Sequence, residues 1–184
     1  MGKAWRDRRA AAAIAAVVLV AGLVVAGAVG AGTHGPHKHG PKAGPKRQGP
    51  PVLAVSLAPS QLNDPMIHGV GPGGLPWAIK HGTVRLNADG RLRVDIHGLV
   101  IPIVHTVGGM TFPAGTPRPV TAVQAELFCA PDSSGAVATT AAVPISDRGD
   151  ARIEARISLP ATCLAPEVLV GPSASAYIAA PGWR

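Results

Sequence analysis

The chain has 184 residues, 47% of them hydrophobic and 15% charged, which suits one domain around one core. Its formal net charge of +7 is confined to residues 1–51, which hold eight basic groups and one acid, whereas residues 52–184 hold nine of each. That distribution leaves a nucleic-acid-binding domain without an electrostatic footprint, and 3% aromatic content removes most stacking platforms for bases or sugar rings.

Residues 1–9 (MGKAWRDRR) are basic and read as a cytoplasmic n-region. Ala10 to Gly32 follows with 23 residues and no charge. As a helix it would span roughly 34 Å, enough for a bilayer core. Two readings stand. A retained signal anchor, a single transmembrane helix, uses the basic start and the apolar length. A cleaved signal peptide uses Ala26-Gly27-Ala28 as an A-x-A site and ends near Ala28. No cysteine follows the span, which excludes a lipoprotein anchor. The arginines nearest the span place the N-terminus inside and everything from about Thr33 outside. The membrane is then a partner through residues 10–32. The protein sits at the cell membrane as a single-pass ectodomain, or is secreted after cleavage.

Residues 33–51 (THGPHKHGPKAGPKRQGPP) hold five prolines, four glycines and no aliphatic side chain larger than Ala. Such a segment buries too little to fold and reads as a disordered, extended linker. Its lysines suit anionic headgroups or a wall polymer. His34, His37 and His39 offer three imidazoles for weak metal chelation, without a carboxylate or a fixed geometry to complete a site.

From Val52 to residue 184 the pattern is β. Val52–Ala58 is apolar and ends at Pro59; residues 69–76 form a Gly/Pro loop. Val84 and Leu86 alternate with Thr83 and Arg85, and Leu92, Val94 and Ile96 with Arg91, Arg93 and Asp95. The two runs flank Asp89-Gly90 and predict a hairpin. Leu99–Val104 is broken by Pro102 and reads as an edge or a bend. After a loop at 108–119, Val123, Ala125, Leu127 and Cys129 share one face of Val120–Cys129, with Gln124 and Glu126 on the other. Phe128 also points away from the Cys129 face, either exposed or under a second layer. Ala136–Ile145 is a β-like run. In Ala151–Leu159, Ile153, Ala155, Ile157 and Leu159 oppose Arg152, Glu154, Arg156 and Ser158. Glu167–Val170 and Ala176–Ala180 close the chain. Seven to nine short strands without a convincing helix predict an all-β antiparallel β-sandwich, Ig-like or Greek-key, with a small Greek-key barrel as the other arrangement.

Cys129 and Cys163 are the only cysteines. An even count in an exported chain implies a disulfide, here closing a loop of 35 residues. There is no C-x-x-C and no thioredoxin-like redox motif. Nor is there a G-x-S-x-G elbow, a Walker loop, an H-E-x-x-H or an EF-hand. No catalytic residue is assigned and no cofactor is implied. His68, His81, His97 and His105 are dispersed, and only folding would join His97, His105 and a third ligand. Asp147 and Asp150 flank an Arg148-Gly149 turn, a weak calcium candidate and a chance RGD. Trp77 and Trp183 are candidate interface anchors, with core packing the plainer role for Trp77.

The runs Gly90–Pro102 (GRLRVDIHGLVIP) and Asp150–Pro166 (DARIEARISLPATCLAP) resemble small exported actinobacterial proteins of uncharacterised function. The resemblance implies export and a β domain, and no activity. The expected function is a non-enzymatic binding or structural module of the cell envelope, partnered by an envelope protein or a wall polymer. Arg91, Arg93, Arg152 and Arg156 are its candidate contact residues. The alternative is a metal-binding protein or enzyme with a site assembled from dispersed histidines and carboxylates.

Overall fold

Side chains alternate across a strand, so a strand with one apolar set must find a cover for that face alone. The computed structural model describes residues 49–129 and 135–182. The n-region, the apolar span, residues 33–48 with His34, His37 and His39, residues 130–134 and residues 183–184 with Trp183 lie outside the described residues.

Among the described residues the chain is all-β, with no helix. β1 (Pro51–Pro59) is the longest strand, and β2 is the pair Gly71–Pro72. β3 (His81–Asn87) and β4 (Arg91–His97) form the expected hairpin. β5 (His105–Val107) and β6 (Met110–Phe112) form a smaller one. There follow β7 (Ala122–Phe128), β8 (Ala138–Thr139), β9 (Val143–Pro144), β10 (Ala151–Arg156), β11 (Glu167–Gly171), β12 (Ala176–Tyr177) and β13 (Ala179–Pro181).

One antiparallel sheet runs in the order β10-β4-β3-β1-β13-β11-β7-β8, with β9 also on β7. β1 joins its halves. Leu53–Ser56 pair with β3, and Leu57–Pro59 pair with β13. The sheet curls until β10 lies against β9 and β7. Its concave side holds the core: Val84, Leu86, Leu92, Val94, Ile96 and Ile153 from one half meet Val123, Leu127, Val168 and Val170 from the other. Trp77, Leu99 and Ile101 fill the space between them and are buried. Trp77 is therefore a core residue.

Turn chemistry sets the hairpin register. Gly90 N donates to Asn87 O at 2.9 Å, and Gly90 has φ +80°. A side chain there would also strike the Ile157 carbonyl, so this position needs glycine twice over.

Several elements differ from the expectation. β10 ends at Arg156, because Ile157 N donates to Gly90 O and the chain leaves the ladder with β4. The run Ala136–Ile145 splits in two. Thr140 Oγ1 accepts from Ala125 N and donates to Ala141 O, taking a ladder position while the backbone turns. The 108–119 loop contains β6, whose Met110 and Thr111 are exposed while Phe112 packs partly buried against the core.

β7 is buried on both faces. On the outer one, Phe128 packs with Leu169, Ala180, Val70 and Tyr177 in a second cluster. The cover is the segment before β2. Ile67 and Val70 exchange hydrogen bonds across His68 and Gly69, both at positive φ as a primed hairpin turn requires. Tyr177 Oη donates to Pro65 O at 2.8 Å and ties this cover down.

Cys129 and Cys163 form a disulfide with a Cα–Cα distance of 4.8 Å. It joins the end of β7 to the loop ahead of β11, where Phe128 and Glu167 are already paired. The chain-entropy account gives about 4 kcal/mol for a loop of this length. Replacing both cysteines by serine is expected to lower the unfolding free energy by about 2–4 kcal/mol in chemical denaturation. An unchanged midpoint would show that the β7–β11 ladder holds this end unaided.

Candidate functional site

The outward faces of β1, β3, β4 and β10 form a charged lattice whose rows follow from register. In one row Ala54, Arg85, Arg93 and Glu154 lie side by side. In the next, Ser56, Thr83, Asp95 and Arg152 do so. Arg91 lies opposite Arg156 at the hairpin end. At the other end His81 pairs with His97, their rings 6.4 Å apart, and His97 Nδ1 is 3.5 Å from Asp150.

Five arginines thus share this face with Asp95 and Glu154. Arg93 donates to Asp95 at 2.6 and 3.2 Å and lies 4.0 Å from Glu154. Arg152 reaches Asp95 at 3.6 Å and also donates to Glu154. Arg91 pairs with Asp89 at 3.2 Å. Among the described residues Arg85 and Arg156 make no ion pair, and each lies opposite another arginine. Like charges directly opposite one another oppose strand pairing. A groove of about 700 Å³ lies over this lattice. Its floor is small (Ala54, Ser56, Thr83) and its walls are charged (Arg85, Arg91, Arg93, Asp95, Glu154). No aromatic side chain lines it. It can grip an anion by guanidinium forks.

The hydrogen bond from Arg93 holds the Asp95 carboxyl below the usual carboxylate range, with the charges of Arg93, Arg152 and His97 adding to it and partial burial opposing it. The same hydrogen bond raises Arg93 further above its ordinary value.

The remaining candidates serve other purposes. His68 stacks on Phe128 with ring centroids 4.5 Å apart, and its Nε2 lies 3.1 Å from Glu167 Oε2. Its side chain is 6% exposed, so it clips the covering segment to the sheet and presents no reactive atom. Asp147 pairs with Arg118 at 2.6 Å, and Asp150 accepts from Gly98 N at 3.0 Å. The Arg148-Gly149-Asp150 tripeptide is closed into a turn by Gly149 N on Ser146 O and Asp150 N on Ser146 Oγ. Gly149, at φ +80°, packs against the Leu99 backbone with no room for a side chain. His105 lies on β5, and no group of three His, Cys, Asp or Glu among the described residues is placed to hold a metal ion. Ser173 and Ser175 bond each other in an exposed loop. No helix of the described residues is long and apolar enough to cross a membrane.

Arg91, Arg93, Arg152 and Arg156 are brought together as a surface, and two residues of it escaped the sequence reading. Arg85 carried a usable signal, since it alternates with Val84 and Leu86. Asn87, two residues before the Asp89-Gly90 turn, carried none.

A carboxylate held below its ordinary range stabilises the fold above that range, and this contribution disappears as pH falls through the folded-state value. Asp95→Asn is expected to lower the melting temperature at pH 7 by roughly 1–3 °C, the scale of an exposed pair. The difference should vanish once the wild-type carboxyl is protonated, and shrink in 1 M salt. A difference constant from pH 7 to pH 2 would assign the effect to packing.

Comparison with family models, with curated proteins and with solved structures finds no match for this chain.

Proposed function

We propose that this protein is an exported cell-envelope protein, membrane-anchored or secreted, whose β domain is a non-enzymatic binding module for an anionic envelope partner. The observation that carries the reading is the arginine lattice. Five guanidinium groups share one exposed face with two carboxylates, and two arginine pairs oppose each other across strands. Residues 52–184 as a whole are electrically balanced, so this excess is local. An anion over the lattice relieves the repulsion and gains paired hydrogen bonds from the forks. In this reading the curled sheet acts as a two-layer sandwich hinged at β1. Its second layer, β13, β11 and β7, supports the lattice from behind through the common core. Export rests on the basic start, the apolar span and the disulfide pair, together with the resemblance to small exported actinobacterial proteins. The partner is a wall polymer or an acidic envelope protein.

Retention on an immobilised polyanion tests the module. The wild-type protein should bind and elute with salt. Arg85→Gln/Arg156→Gln, which leaves the Arg93–Asp95 pair intact, should bind about tenfold more weakly, or 1.4 kcal/mol. Equal retention of both proteins would remove this face from the function. Intact mass of the native chain, without reduction, tests export: full-length protein from the membrane fraction or a chain starting near Val29 from the medium supports it. A reduced cytoplasmic form would overturn it.

A further inference from the structure

The ligand of the groove can be narrowed by one buried atom. Asn87 has the outward parity of Arg85 and Thr83 and lines the groove, yet it is only 3% exposed. Among the described residues its Oδ1 is one of three buried side-chain atoms with no hydrogen bond. The other two, on Ser60 and Trp77, do not line this groove. The strand beside Asn87 is irregular. It registers with Pro51, which has no N–H, and the ladder slips between Pro51 and Leu53. A buried acceptor left without a donor is costly, so this position favours a ligand that brings one.

Resting on the reading of this face as an anion-binding surface, we propose that the ligand is an acidic polysaccharide. Its acid group sits on Arg85 and Arg91, and a neighbouring hydroxyl donates to Asn87 Oδ1. A bare anion brings only acceptors and cannot satisfy Oδ1. A nucleic acid lacks its stacking partners, since no aromatic side chain lines the groove. A run of Asp and Glu carries its N–H donors only in the backbone, set back from the carboxylates that would lie on the arginines. A sugar hydroxyl stands off its ring beside the acid group and does. Asn87 Oδ1 is closed off by its surroundings, and Arg85, a groove wall that makes no ion pair among the described residues, is the long side chain free to turn toward the acid and open it, while Arg91 stands on Asp89. The acid is a carboxylate or a phosphate, which a guanidinium fork grips alike.

The experiment measures binding of the full chain to four polymers at matched charge and one ionic strength. Polygalacturonate and a phosphorylated mannan carry sugar hydroxyls; polyglutamate and polyphosphate carry none. A hydroxylated polymer is expected to bind at least about tenfold tighter than its hydroxyl-free counterpart, and the polymer showing the larger ratio identifies the acid. Asn87→Leu should bring that ratio to about one without changing polyglutamate binding. If that variant fails to fold, the wild-type ratios decide alone. Equal binding of each hydroxylated polymer and its counterpart overturns the saccharide proposal and leaves the anion-binding face standing. No binding to any of the four overturns both.

Discussion

The domain depends on a single sheet covering its own apolar face. Neither half does this alone. The inward residues of β3, β4 and β10 are aliphatic and nearly all fully buried, and they are covered by the inward residues of β7 and β11. At roughly 25 cal/mol per Å² of apolar area, this mutual burial is the dominant favourable term. The curl permits it, and β1 permits the curl by pairing with β3 along most of its length and with β13 at its end. The disulfide, the covering segment and the turns each secure a margin of that arrangement.

The outer surface divides in two along the same strand. Behind β7, β11 and β13 the outer face carries Phe128, Leu169 and Ala180 under a covering segment, with His68 laid flat on Phe128, beside Gln124 and Glu126, which bond each other. Outside β3, β4 and β10 it is charged and open. A face rich in arginine needs no cover, because guanidinium groups are solvated or paired where they stand. It is also the surface on which register alone decides which charges meet.

That distinction explains what could be read from sequence. The β3–β4 hairpin was legible because period two and an Asp-Gly turn are local signals. The cysteine pairing was legible because only two cysteines exist. The cover over Phe128 was not, since parity gives direction but not what lies above, and the segment 60–72 shows no periodicity. The arginines of each strand were visible, but not that Arg85 faces Arg93 or that Arg91 faces Arg156. Those pairings depend on the loop length at Gly90 and on which strand β10 joins. Asn87 was hidden for a related reason: its residue type suits a turn, and its burial comes from the tertiary packing where β1 slips a residue beside it.

The place of β1 also has a mechanical consequence. The chain enters the sheet at Pro51, at the head of a strand that pairs first with β3 along Leu53–Ser56 and then with β13 along Leu57–Pro59. Ladder hydrogen bonds lie perpendicular to the strand, so tension along β1 loads them in parallel as shear, and they must fail together. A pull across the strand would instead unzip it one bond at a time. A tug on the segment preceding Pro51 along the strand thus meets the β1–β3 ladder in shear.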